Sequence, residues 1–290
     1  DQVDAADPGY GYECYGDFNL DILTPLVDGY APGMRTTLYP QGIGDVIPAN
    51  SDLIVQMHYA PLSTNQFDQS SINIFFKDEP IERQVQHLQH ANPMFVLPPN
   101  TITEVIDSIE IDTDLSLLQI LPHSHLIGEA WEIYSVDSQQ DTTNIIKINN
   151  WDFDWQSFYT PEYMLPLTAG STIYMKATYD NTSSNPDNPN DPPEYVFWGD
   201  GTEDEMFFVA YRYLEYQEGD ENIYLGSSDD LLLGDVNQDS MINVLDVVTI
   251  VQFVLDFSTP SNLQFDLSDL NNDQVLDVMD IVILINTILN

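Results

Sequence analysis

Leu117-Leu118-Gln119-Ile120-Leu121-Pro122-His123-Ser124-His125 is the stretch on which the fold turns. Apolar residues crowd a short run with no helical spacing, which reads as a strand. Residues two apart on a strand project from one face. His123 and His125 can therefore grip one ion, and Leu121 and Ile127 keep the same alternation. A bland alternative is a satisfied surface pair of histidines.

Similar runs lie on either side. Asp52-Leu53-Ile54-Val55-Gln56-Met57-His58-Tyr59, Ser71-Ile72-Asn73-Ile74-Phe75-Phe76 and Thr172-Ile173-Tyr174-Met175-Lys176-Ala177 alternate, and turn-rich breaks such as the Pro- and Asn-laden stretch 185–193 separate such runs. Many short strands at this spacing point to a β-sandwich over residues 50–215. Met206 opens another strand-like run, Phe207-Phe208-Val209-Ala210-Tyr211. A methionine there can simply fill core space. Beside two imidazoles it has a second reading, because soft sulfur favours Cu(I) and imidazole suits copper in both oxidation states.

Composition sets outer limits. The 290 residues suffice for two domains, and the 43% hydrophobic content, with 16 Tyr, 13 Phe and 4 Trp, suffices for a sizeable core. Six Lys and Arg against 48 Asp and Glu leave a net charge of −42, so no basic patch exists to bind nucleic acid or an anionic membrane. The acidity reads either as solubility in salty water or as cation ligation. No apolar run of about 18 residues predicts a membrane span. Cys14 is the only cysteine, which excludes an internal disulfide and fits a reduced compartment or a secreted protein with other staples. Asp1-Gln2-Val3-Asp4 is not a signal peptide, and a processed form or fragment is expected.

Beyond a polar stretch, 217–230, that reads as a linker, the period changes. Asp235, Asn237, Asp239, Met241, Asn243 and Asp246 occupy positions 1, 3, 5, 7, 9 and 12 of a loop, and an apolar helical run follows. Thirty-four residues later Asp269, Asn271, Asp273, Val275, Asp277 and Asp280 repeat the register, again before an apolar run. Met241 and Val275 would offer backbone carbonyls. This is the spacing of an EF-hand calcium loop. The duplicated loop-helix unit resembles a dockerin type I module over 231–290, which implies bound calcium and a possible cohesin-type partner. Position 6, usually glycine, is Ser240 and Gln274; positions 10 and 11 are Val244-Leu245 and Val278-Met279.

Five motifs run in the order of one family: Val55-Gln56-Met57-His58-Tyr59, residues 121–128, Trp151-Asp152-Phe153-Asp154-Trp155-Gln156, Tyr179-Asp180-Asn181, and residues 198–206 ending in Asp204-Glu205-Met206. They resemble the copper type II, ascorbate-dependent monooxygenases, in their bacterial branch. The resemblance covers about 8–216. It implies a mainly β fold, one complete jelly-roll sandwich (81–217) and one partial (1–80), joined by a linker (218–230) to the small α-helical calcium module (231–290). It implies His123, His125 and Met206 as ligands of the catalytic copper, and His58 as one of three ligands of an electron-storing copper. The other two would precede residue 1. His87 and His90 match no family ligand and read as surface or packing residues, at a spacing that suits a helix face. The implied reaction is hydroxylation of a C–H bond of a small organic substrate with O2 and a reductant such as ascorbate, in a secreted or periplasmic setting. Leu121 and Ala210 replace the arginine and tyrosine that hold a peptide carboxylate in peptide-hydroxylating relatives. The rival expectation is a non-catalytic, secreted copper-binding sandwich displayed through its dockerin.

Overall fold

The computed structural model describes residues 11–12, 27–31, 34, 37–59, 63–64, 66–77, 79–226, 233–237, 241–260, 262–271 (backbone only at 262–263) and 273–289. Two short strands, β1 (Ile43–Gly44) and β2 (Arg83–Gln84), pair in parallel. They precede the strands β3 (Gln86–Ala91), β4 (Val96–Leu97), β5 (Thr101–Glu110), β6 (Leu115–His123), β7 (Gly128–Val136) and β8 (Thr142–Ile148). Then come β9 (Leu165–Leu167), β10 (Thr172–Asn181), β11 (Val196–Phe197) and β12 (Phe208–Glu215).

Two four-stranded antiparallel sheets hold the centre, in the orders β3-β12-β6-β9 and β5-β10-β7-β8. Leu117, Ile120, Val209 and Tyr211 from the first join Trp131, Ile133, Met175 and Tyr179 from the second in one buried cluster. The sheets therefore pack face to face as a sandwich. Alternation is clearest in β10, where every second residue is buried. The buried Asn181 closes one end: its amide donates to the carbonyls of Leu97, Pro98 and Glu194 and its oxygen accepts from Asn188.

Three expectations change. The alternating runs 52–59 and 71–76 form no strand, and their apolar side chains are largely exposed. Alternation makes a strand only when a neighbour supplies the hydrogen bonds, and β1 is the only strand among the described residues of 1–80. Residues 217–225, read as linker, are docked: Asp220 is buried, bound by Arg83 and Ser116, and Leu225 donates its amide to Glu162. A polar sequence settles on a surface when its charges find partners. His87 and His90 lie on strand β3, not a helix, and pair with Asp45 and Asp107 respectively.

The C-terminal region is helical: α1 (Val244–Val254), α2 (Asn262–Ser268) and α3 (Val278–Leu289). Val236, Ile250, Phe253 and Leu284 form its own small core. No helix among the described residues is long and apolar enough to cross a membrane.

Candidate metal centre

Antiparallel pairing of β6 with β12 sets Phe208 opposite His123, Ala210 opposite Leu121 and Arg212 opposite Gln119. Ile120, Val209 and Tyr211 lie in the core, so this set faces outward. Carried two residues further, the register runs Met206 opposite His125. A single carboxylate oxygen confirms the approach: Oε2 of Glu205 accepts from the backbone amides of His125 (2.7 Å) and Met206 (3.1 Å). The structure thus brings the segments carrying His123, His125 and Met206 together on the outer face of one sheet.

The two imidazoles stand edge to face with centroids 5.1 Å apart. Phe208 meets His123 edge-on at 6.4 Å, and Phe153 meets His125 at 6.1 Å. Gln156 anchors its amide nitrogen on the carbonyl of Phe153 at 2.8 Å, which turns its oxygen to Nδ1 of His123 at 2.6 Å. That oxygen only accepts, so Nδ1 carries the proton and the lone pair lies on Nε2. His125 Nδ1 faces the carbonyl of Asp204 at 3.2 Å, which sets the same tautomer. Behind the pair, Ser124 accepts from the buried Trp131 indole, and Tyr179 donates to the Met206 carbonyl. Gly128 is required here: a Cβ would sit 2.7 Å from that of Ser124 and 2.9 Å from the Trp151 ring.

Electrostatics keep the imidazoles neutral. Burial, then His125 and the more distant charge of His58, push His123 down to about 4, against the pull of Gln156. Burial also lowers His125, opposed by the carbonyls of Asp204 and Gly201 and the carboxylates of Asp204 and Asp200. Burial raises Glu205 to about 7 against its bonds from the backbone amides of His125, Ile127, Met206 and Gly128. Neutral imidazoles with fixed tautomers beside a thioether are the donor set that copper accepts.

His58 is exposed and lies in coil, close enough for its charge to reach His123. Among the described residues, no three His, Cys, Asp or Glu side chains converge on one ion position. The motifs containing Gln156 and Glu205 assign neither residue a role. An acidic residue at the entry to an apolar strand was the one signal that marked Glu205.

In the helical region, Asp246 and Asp280, at position 12 of each loop, are fully buried. Asp246 accepts from the amides of Asn237 and Asn243, and Asp280 from those of Leu270 and Asp277. Asn243 and Asp277, at position 9, cap α1 and α3 by accepting from Leu245 and Met279. Gln274 at position 6 adopts φ 64°, the left-handed turn usually given to glycine. Asp269 accepts from the amides of Asp273 and Gln274 across that turn. The remaining expected ligands, Asn271, Met241 and Val275, lie on the same loops. Asp239, Ser240 and Cys14 lie outside the described residues.

Residues 85–222 match the family described as copper type II ascorbate-dependent monooxygenase, C-terminal domain. Residues 233–289 match the dockerin type I domain. No curated protein matches the chain. Among solved structures, one of the infectious bursal disease virus Gt strain aligns at 10% identity over 60% of this chain and 48% of its own, with a TM-score of 0.20. One of T=1 particles derived from infectious bursal virus aligns at 11% identity over 67% of this chain and 54% of its own, at 0.21. The chain spans about half the length of these two. Scores this low carry no argument about the fold.

Proposed function

We infer the function from a premise about family: residues 85–222 belong to the copper type II ascorbate-dependent monooxygenases as their C-terminal domain, and residues 233–289 are a dockerin type I domain. On that premise the chain is a dockerin-tethered copper monooxygenase that hydroxylates a C–H bond of an organic substrate with O2 and a reductant such as ascorbate. We read the sheet orders β3-β12-β6-β9 and β5-β10-β7-β8 as a jelly roll. The domains are then 1–80, 81–217, a short joint over 218–230 whose start is docked, and 231–290.

The observation that carries this reading is the outer-face set: two imidazoles with protonated Nδ1 atoms, and Met206 across the strand pair. His123 and His125 would hold copper through Nε2 and Met206 through its sulfur. Copper bound there supplies dioxygen binding and electron transfer. The chain supplies the rest. Gln156 and the Asp204 carbonyl hold the ring orientations. Phe153 and Phe208 wall the imidazoles. Leu121, partly exposed one residue pair along, offers an apolar contact beside the imidazoles. Every Lys and Arg among the described residues is already engaged, with carboxylates or, for Lys77, backbone carbonyls. The favoured substrate is therefore neutral or cationic, with an apolar portion at the metal.

The two C-terminal loops would take calcium through Asp235, Asn237, Asp239, Met241, Asn243 and Asp246, and through Asp269, Asn271, Asp273, Val275, Asp277 and Asp280. That EF-hand-like pair, read with the dockerin family, favours an extracellular setting and a cohesin-type partner. A second reading, a non-catalytic copper-binding module, rests on one observation. His58, expected as a ligand of an electron-storing copper, is exposed and lies in coil.

Anaerobic Cu(I) titration tests the site. One tight site per chain is expected, weakened at least tenfold by Met206→Ile. Affinity indifferent to that change refutes the assignment. Ascorbate-driven oxygen consumption by the copper-loaded chain separates enzyme from binding module.

A further inference from the structure

We propose that Glu205 is the positioning residue that fixes the distance between the imidazole pair and the thioether. The proposal rests on the ligand reading above and adds the element that holds those ligands in register.

The β6–β12 ladder ends at the pair His123–Phe208. His125 lies two residues beyond the end of β6, and Met206 two residues before the start of β12. Both ligand-bearing residues are therefore off the ladder, where their backbone amides lose strand partners. Glu205 takes the place of the missing rung. Its Oε2 accepts from His125 and Met206, and its Oε1 accepts from Ile127 at 2.9 Å. Its own backbone is tied elsewhere: the amide donates to Phe197 at 3.0 Å and the carbonyl accepts from Gly199 at 3.2 Å. The Met206 segment is thereby fixed to β11 on one side and to the histidine loop on the other.

The residue type follows from the task. The backbone amides of His125 and Ile127 on one segment and of Met206 on the other converge on Glu205, and all are donors. A carboxylate offers two oxygens that only accept. A glutamine of the same size would turn an NH2 group against one of those amides. A carboxylate that is 0% exposed is costly to bury. No cation among its hydrogen-bond partners offsets that, so backbone amides alone hold it. Apolar packing would stabilise a plain loop more cheaply; the carboxylate is suited to a loop whose spacing matters.

X-ray absorption of the Cu(I)-loaded chain, with chelator-competition affinity, provides the test. Wild type is expected to show sulfur scattering beside two imidazoles. Glu205→Ala is expected to lose the sulfur component while keeping both imidazoles, with affinity at least tenfold lower. In a Met206→Ile background the same change should cost under threefold, because the thioether is what it positions. Should the alanine variant fail to fold, Glu205→Gln is read instead, with weakened sulfur scattering expected in a folded protein. Sulfur scattering and affinity within threefold of wild type in either folded variant overturn the proposal. A wild-type spectrum without sulfur overturns the ligand reading and this proposal together.

Discussion

Replacing Gln156 with leucine removes one acceptor and leaves the metal ligands untouched. In the native chain His123 Nδ1 donates to Gln156 over 2.6 Å at a part-buried position. Without that oxygen, a ring that keeps Nε2 for copper holds its Nδ1 proton with no acceptor, a penalty of about 1–3 kcal/mol. The copper-free ring escapes part of it by turning over or changing tautomer; the loaded ring cannot. The difference falls on binding, at about 1.5–2 kcal/mol, or roughly ten- to thirtyfold in affinity at about 1.4 kcal/mol per decade. That lies within the roughly 10–100-fold typical of groups that orient metal-bound imidazoles. The assay is anaerobic competition for Cu(I) against a colorimetric chelator, with a thermal melt to establish folding. Gln156→Glu keeps an acceptor at the same reach and should restore wild-type affinity or exceed it. Two results refute the reasoning: a leucine variant within threefold of wild type, or a glutamate variant as weak as the leucine one.

Two further outcomes follow from the same geometry. Chelating calcium should strip helix signal from α1 and α3 in circular dichroism, because the position-12 carboxylates Asp246 and Asp280 are fully buried with no Lys or Arg anywhere in 229–290; unchanged helix content refutes this. Burial pushes Asp220 up, but its bonds from Arg83 and Ser116 outweigh that and hold it below its ordinary value of 3.8. A lowered folded-state value stabilises the fold fully above 3.8, and the contribution drains as pH falls below it toward the folded value. Arg83→Met should cost about 3 kcal/mol near neutral pH and flatten that acid limb in urea melts, and an unchanged acid slope counts against the pair.

The histidine pair was legible because a strand has a period of two, and β6 is a strand. The approach of the Met206 segment to that pair was not legible from periodicity. It depends on a register between strands 85 residues apart, Phe208 against His123, and motif order alone carried it. Gln156 ends the run Trp151-Asp152-Phe153-Asp154-Trp155-Gln156, yet its role depends on a contact across 33 residues. The calcium loops were readable in register because each is local, down to Gln274 in the left-handed turn. The strand readings at 52–59 and 71–76 failed for the converse reason. Alternation is local and pairing is not. The linker reading at 217–225 failed because polarity signals exposure only until an ion pair such as Asp220 with Arg83 is available.

One register specifies both the core and the metal face. Along β6 Ile120 points inward, while Leu121 and His123 take the alternate side, with His125 just beyond the end of the strand; along β12 Val209 and Tyr211 point inward and Phe208 and Ala210 outward. A slip of one residue would turn His123 toward the space between the sheets and the core residues away from it. The face that carries His123 therefore inherits its precision from hydrophobic packing on the opposite side. The register shift between Arg212 and Tyr213 lies on the far side of the Gln119–Arg212 pair from the ligands. It leaves the ligand rows in phase and releases Leu118 from the pairing. Leu118 and Leu214 then pack with Ile43, Val85 and Met164 in a separate cluster. Arg212 draws Asp28 and Thr37 onto the same face. The bulge thus divides the outer face of one sheet into a covered half and a half left for chemistry, which a continuous alternation would not do.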